Sequence, residues 1–506
     1  MKRSIVHPFL FSAIPIMSLY YQNADQAKLS FMIPPLLVIL AVIAFFFVLL
    51  KLFTKNTHRS AAILSVLIIL FFSFGSCLNF NIVTAILGKE IQFFQIYLTL
   101  WILFFFLSLF IIIKVIKSHK NLTFVLNTIS AVTFLMLVAQ IIFFHITHPA
   151  LIAQEQESSS IPQSEEFPDV YYIILDGYAR ADIMKDFFGY DNSNFISFLE
   201  EKDFFVAKDS HSNYPRTYYS MPSSLNYEYV NFLEKYYDED LQDLSPLNEL
   251  VQKNRVQKKF KEKGYTIVNI QSDWEIANSI PYDIILGDSH SFNEFDDKLI
   301  DMTPLKLCFL KKAIINSKRK KIQNAFDYIP EISKISEPTF SYIHIVSPHP
   351  PFIFDEHGNP TDPSALTLLL DGCAYLKIEP DRNDFAKKYG EQAHFITEKI
   401  KDVITLILQN SESDPIIIIQ SDHGSRSSCD SKNPFKTDLN EQFSILNAYH
   451  LPDSGKEMLY DSITPVNTFR IIFNILFKEK RNLLPDKIFF VSDELPYKFI
   501  EVTNKL

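Results

Sequence analysis

The sequence predicts an α/β domain carried behind five membrane-spanning helices, and three observations lead there. Residues 1–150 are packed with Phe, Leu and Ile in stretches long enough to cross a hydrocarbon layer of about 30 Å as helices. Charge then divides the chain. These residues hold ten Lys or Arg against Asp25 and Glu90, a net of +8, so a chain of net charge −10 leaves −18 on the remainder. Beyond residue 168, short continuously apolar runs alternate with helical patterns, as expected of buried strands in a sheet flanked by helices. A length of 506 residues exceeds what one hydrophobic core usually organises. The predicted organisation is a membrane region at 1–150, a linker at 151–168 and a soluble domain at 169–506.

Within the membrane region the five spans fall at about 5–21, 31–53, 61–80, 94–116 and 122–146. Lys51, Lys55 and Arg59 lie between the second and third, and Lys114, Lys117 and Lys120 between the fourth and fifth, while the other loops are nearly neutral. With Lys2 and Arg3 at the start, this asymmetry places the N-terminus in the cytoplasm and everything after His148 outside. The expected location is the cytoplasmic membrane, multi-pass, with the soluble domain extracytoplasmic. A cleaved signal peptide is the competing reading of the first span, opposed by Pro8 and Pro15 within it and by the lack of a small-residue cleavage site. The run LIAQEQESSSIPQSEEFP from Leu151 is polar, acidic and without periodicity, and reads as a tether.

The predicted strands are DVYYIIL from Asp169, YTIVNI from Tyr265, FSYIHIV from Phe340, PIIIIQ from Pro415 and FSILNAYHL from Phe443. They form a mostly parallel central sheet, in which ligands gather beyond the carboxyl ends of the strands. Two strands end in ligand-type side chains: DVYYIIL runs into Asp176-Gly177, and PIIIIQ is followed closely by Asp422-His423-Gly424. An Asp-Gly pair by itself is most simply a turn. Two such endings together point to a shared cation, and two carboxylates with one imidazole suit Mn²⁺, Zn²⁺ or Mg²⁺. A third element, SHSNYPRTYYSMPSSLN from Ser210, crowds hydroxyls ahead of a helical pattern that continues to about Tyr237. If Pro222 occupies a first helical turn, the helix begins shortly after Thr217, whose hydroxyl then meets backbone donors that favour anions.

With these elements in order, residues 169–475 resemble the alkaline phosphatase superfamily, in its sulfatase-like membrane branch of lipoteichoic acid synthases and phosphoethanolamine transferases. The shared pattern is a strand ending in a metal Asp, a hydroxyl nucleophile about forty residues later, a P-H-P loop and a distal strand ending in Asp-His-Gly. The resemblance implies an alkaline-phosphatase-like fold with Asp176, Asp422 and His423 as metal ligands and Thr217 as nucleophile on the metal. It implies that His349, in SYIHIVSPHPPF, contacts the transferred group or protonates the leaving oxygen. One divalent ion is expected, with a second left open because no Asp-x-x-x-His pair follows the first strand. The implied activity is metal-dependent phosphoryl or phospho-alcohol transfer, or phosphoester hydrolysis, on cell-envelope lipid headgroups or glycans. Nucleic acid is not an expected partner, and the oligomeric state is open.

His344, Arg180 and Arg426 are further candidates for substrate binding, each with an equally ordinary structural reading. Tyr389, Gln392 and His394 read as one face of the helix before the distal strand, and KLCFLKKAIINSKRKKIQ as a solvated basic helix. Cys308, Cys373 and Cys429 lie outside the membrane region and allow one internal disulfide, Cys373 with Cys429 among the pairs. Two other readings compete with phosphoryl transfer. A sulfuric ester hydrolase that matures a Cys or Ser in C-x-P-x-R is opposed by the surroundings of all four cysteines, and an inactive envelope-binding module by the retained Asp176, Thr217, Asp422 and His423.

Overall fold

The computed structural model describes residues 4–24, 27–78, 90–147, 167–287, 292–307, 309–364, 367, 368 and 370–506. The linker expected at 151–168 lies almost wholly outside them. The chain forms two compact units, Met1–Gln156 with Phe292–Ile314, and Glu157–Ser291 with Ile315–Leu506.

Among the described residues, the N-terminal part of the first unit contains five helices: α1 His7–Gln22, α2 Leu29–Thr54, α3 Thr57–Leu78, α4 Glu90–Phe110 and α5 His119–Thr147. α4 continues into a π-helical turn at Ile111–Val115. Four of the five are long and apolar enough to cross a membrane. α1 is the exception: its 16 residues rise about 24 Å, less than the hydrocarbon layer. It packs against α2, α3 and α5. Ile16 and Tyr20 are fully buried there with Leu137 and Ile141 of α5. Phe295, from the short helix Glu294–Asp301, joins the same cluster. That helix starts with a capping box, in which Asn293 accepts from the Asp296 N–H and the Asp296 carboxylate accepts from the Asn293 N–H.

The second unit is built on a seven-stranded sheet in the order β2-β7-β6-β1-β5-β3-β4. Its strands are β1 Val170–Leu175, β2 Phe205–Val206, β3 Thr266–Ile270, β4 Ile284–Leu286, β5 Thr339–Ile345, β6 Ile416–Gln420 and β7 Asn447–His450. β6, β1, β5, β3 and β4 run parallel, and β7 pairs antiparallel with both β6 and β2. A separate hairpin joins β8 Phe489–Val491 to β9 Phe499–Glu501. The central strands are mostly apolar because both sheet faces are covered, and Val170–Leu175 and Ile416–Ile419 are all fully buried. Each such isoleucine contributes roughly 2 kcal/mol by leaving water. Three helices matter below: α6 Thr217–Asn226, α7 Phe309–Tyr328 and α8 Arg382–Asn410.

Two local expectations change. α6 begins at Thr217 itself and ends at Asn226, so Pro222 lies inside the helix rather than in its first turn. The basic run of α7 is not a solvated face. Lys318 and Lys321 are buried against Asp273, and Arg319 donates to the carbonyls of Ile353 and Thr361. Burial pushes the Asp273 carboxyl up, but the two ammonium groups outweigh it and hold it below the ordinary carboxylate range.

Candidate metal centre and active site

β1 is the middle strand of the sheet, and its neighbours β5 and β6 deliver the remaining parts of the site. Ile174 is in register with Gln420, so Asp176 and Asp422, each two residues further on, leave adjacent parallel strands at the same level. Ile174 is also in register with His344 on the other side. Gly177 turns the chain after Asp176 with φ +70°, a conformation glycine adopts at no steric cost. Gly424 is required for a different reason. A Cβ there would lie 2.2 Å from the Glu441 carbonyl oxygen.

Asp176, Asp422 and His423 bring one carboxylate oxygen or ring nitrogen each to within 4.8 Å of one another, all three buried. Thr217 Oγ1 donates to Asp422 Oδ2 at 2.6 Å and lies 3.4 Å from His423 Nε2. The other Asp422 oxygen accepts from the backbone N–H groups of Gly177 and His423. His423 Nδ1 lies 2.8 Å from the Gly424 carbonyl. A carbonyl only accepts, so Nδ1 carries the proton and Nε2 faces the cluster with a free lone pair, as a metal ligand requires.

The donor set fits a divalent cation on two further grounds. Two buried carboxylates at one point call for a compensating charge. Asp176 Oδ1, buried, has no hydrogen-bond partner among the described residues. Burial pushes the Asp176 carboxyl up, but the neighbouring His349 and the hydrogen bond from His344 outweigh it, so it is held well below the usual range.

His349 joins the site: its ring centroid is 6.2 Å from that of His423, and its N–H donates to the Asp176 carbonyl at 3.1 Å. Its Nδ1 donates to the Pro350 carbonyl at 2.6 Å, leaving Nε2 free. His344 sits against the Asp176 carboxylate. Fully buried at its side chain, it reaches Asp176 Oδ2 through Nε2 at 3.3 Å and Tyr342 through Nδ1 at 3.1 Å, with Trp274 against its ring. Arg180 goes elsewhere. Its guanidinium is committed to Asp182, Asp209 and the Ser210 carbonyl, because the chain after Gly177 carries it toward those groups.

Arg426 lies on the loop leaving His423 with φ +58°, and its buried guanidinium pairs with Asp371 at 3.2 Å. Burial opposes the charge of Asp371, but Arg426, the Ala374 N–H, His349 and Arg216 hold its carboxyl below the ordinary range. Arg216, one residue before Thr217, is paired with Asp493 and is brought down to about 10 by burial first and by Arg426 second.

Sequence reasoning passed over Arg216, Asp371 and Glu441. Arg216 had a signal, its position beside the candidate nucleophile. Asp371 and Glu441 had none. The fully buried Glu441 carboxylate accepts from the N–H groups of Ser427 and Ser428 and the hydroxyl of Ser425, tying down the loop after His423. A disulfide between Cys373 and Cys429, Cα atoms 5.6 Å apart, fixes the far end of that loop.

A parallel sheet whose central strands end in two carboxylates and an imidazole beside a helix-start threonine defines a metal-dependent α/β enzyme. The Sulfatase family model matches residues 168–482, more than half of the chain, and the chain belongs to that family. It is thus a member of the alkaline phosphatase superfamily and an enzyme of the hydrolase or transferase type. No curated protein matches it. Among solved structures it is similar to the C-terminal periplasmic domain of EptC from Escherichia coli in complex with Zn, at 9% identity and TM-score 0.44, covering 67% of this chain and 93% of that one. It is similar to the corresponding domain of the phosphoethanolamine transferase EptC from Campylobacter jejuni, at 13% identity and TM-score 0.37, covering 63% and 92%. A third is the lipoteichoic acid synthase LtaP from Listeria monocytogenes, at 11% identity and TM-score 0.38, covering 65% and 76%.

Proposed function

We propose that this protein transfers a phosphoryl or phospho-alcohol group, from or to an envelope lipid headgroup or glycan, through a covalent intermediate on Thr217. The carrying observation is the 2.6 Å hydrogen bond from the Thr217 hydroxyl to Asp422 inside the cluster of Asp176, Asp422 and His423. A divalent cation held by those three residues supplies the positive charge that favours the threonine alkoxide and neutralises the transferred group.

The chain's own residues account for the rest. Asp422 orients the Thr217 hydroxyl and receives its hydrogen bond. Thr217 passes its proton to Asp422 as Oγ1 forms a bond to phosphorus and the bond to the leaving oxygen breaks, and that oxygen takes a proton from His349 Nε2. In the second half, an acceptor hydroxyl or water loses its proton to His349 as its oxygen displaces Thr217, which recovers its proton from Asp422. Arg426, on the loop leaving His423, would receive the anionic oxygens.

The competing sulfuric ester reading has less support. Formylglycine forms from Cys or Ser, and the hydroxyl at the metal cluster belongs to a threonine. The reading further holds that the catalytic unit is extracytoplasmic, as the Lys/Arg asymmetry of the membrane loops requires. Alkaline phosphatase or green fluorescent protein fused after residue 150 tests this side, and fluorescence without phosphatase activity sinks it. For the chemistry, the full-length enzyme is trapped with a chromogenic phosphodiester and digested for mass spectrometry. The adduct is expected on Thr217; a phosphate on Ser220 with Thr217 unmodified would falsify the assignment.

A further inference from the structure

The loop that carries His349 has a hydrogen-bonding problem written in its sequence. In Ser347-Pro348-His349-Pro350-Pro351-Phe352, three prolines remove three N–H donors, so the buried carbonyls of the loop cannot all be satisfied from within it. Helix α8 supplies what is missing. Gln392, with no exposed surface, donates through Nε2 to the carbonyls of Pro348 and His349, both at 3.3 Å. Its Oε1 accepts from the N–H groups of Ile353 at 2.7 Å and Phe354 at 3.2 Å. All four bonds of this one amide go to the segment holding the imidazole.

Three residues earlier, on the same buried face, Tyr389 does the same for the other loop. Its hydroxyl donates to the Gly177 carbonyl at 2.7 Å and accepts from the Ala179 N–H at 3.0 Å, gripping the turn immediately after Asp176. The two loops are also joined to each other by the bond from the His349 N–H to the Asp176 carbonyl. One helix thereby holds the Asp176 turn and the His349 loop from behind, through two fully buried side chains.

We propose that Tyr389 and Gln392 are positioning residues, Tyr389 setting the Asp176 turn for metal binding and Gln392 setting His349 for proton transfer. The Gln392 part rests on the reading of Thr217 as nucleophile and His349 as acid. A merely structural role predicts uniform loss across substrates in proportion to lost stability. Positioning predicts a split, because only poor leaving groups need the proton from His349.

The test uses the full-length chain in detergent, with Gln392→Met, Tyr389→Phe and, as a purely structural control, Ile400→Ala in the buried face of α8. Turnover is measured on aryl phosphodiesters whose leaving-group acidity spans about three pKa units, and Mn²⁺ affinity by equilibrium dialysis. Gln392→Met is expected to slow the poorest leaving group by about 10- to 100-fold while the best changes less than about threefold. Tyr389→Phe is expected to weaken Mn²⁺ binding by about tenfold. Should Gln392→Met fail to fold, Gln392→Glu keeps the acceptor and the shape and is read in the same way. A wild-type leaving-group dependence in the Gln392 variant, or a uniform loss like that of Ile400→Ala, overturns its role. Wild-type Mn²⁺ affinity in Tyr389→Phe overturns the other. Failure of the underlying reading looks different: Thr217→Ala then keeps wild-type turnover.

Discussion

The two units of this chain invert each other. In α2 and α5 many large apolar side chains face outward, with Leu37, Phe45, Phe53 and Ile146 each more than half exposed. In the catalytic unit the apolar side chains of the central strands are fully buried, and charge is taken inside as well: Asp176, Asp422 and His423 are all at most 4% exposed. An outward apolar surface is what a hydrocarbon solvent favours, whereas a buried carboxylate is stable only with a partner or a cation. The difference teaches that the same substitution type carries opposite information in the two units. Predictions that exploit it fall in order of size.

The largest effect belongs to the charged interior. Thr217→Ala leaves Asp176, Asp422 and His423 in place, so the protein is expected to fold and bind Mn²⁺ as before. Turnover on a chromogenic phosphodiester should drop by roughly three or more orders of magnitude, about 4 kcal/mol of transition-state stabilisation, because the covalent route is gone. Thr217→Ser should retain part of the rate. Asp422→Asn should lose both bound metal and turnover, and full activity in that variant rules out the proposed cluster.

How far the sequence revealed these features depends on where the controlling partner lies along the chain. The membrane helices were legible because composition alone decides burial in lipid, and the observed α2 to α5 overlap the expected spans. β1 and β6 were legible because continuous apolar runs mark strands covered on both faces. Asp176, Thr217, Asp422 and His423 followed from their places at strand ends and at a helix start. The surroundings of His344 and Arg180 did not, since distant groups supply them: Tyr342 and Trp274 for one, Asp209 and Ser210 for the other. Pairing of α7 with Asp273 was equally hidden, because some 45 residues separate Lys318 from that carboxylate.

That pairing gives the next effect in size. Asp273→Asn leaves two buried ammonium groups without the carboxylate between them, which should cost about 3 kcal/mol of stability. The pH dependence has a definite sign. A carboxyl held below its ordinary value in the folded state contributes stability above pH ~4, and the contribution is lost as pH falls below that toward the folded value. Thermal unfolding between pH 7 and about pH 3 should therefore show a smaller acid loss in Asp273→Asn than in wild type. Equal acid losses would show that other carboxylates carry the transition.

The smallest effect tests the inversion directly, with one truncation in each unit. Ile418 in β6 is fully buried, and Ile418→Ala should cost about 3 kcal/mol, the lost transfer free energy plus a cavity in a closely packed sheet face. Phe45 in α2 removes a larger side chain when cut to Ala, yet it is 65% exposed, so few protein contacts are lost. Detergent or lipid chains solvate the alanine variant nearly as well as they solvate phenylalanine, and no cavity forms within the protein. Phe45→Ala should then shift unfolding by less than about 0.5 kcal/mol, the range of substitutions away from packed features. Thermal scanning of both variants in the same detergent makes the comparison. A loss at Phe45 matching that at Ile418 would mean that this face of α2 packs against protein, and the outward apolar surface would have to be read as an interface rather than as a lipid-facing wall.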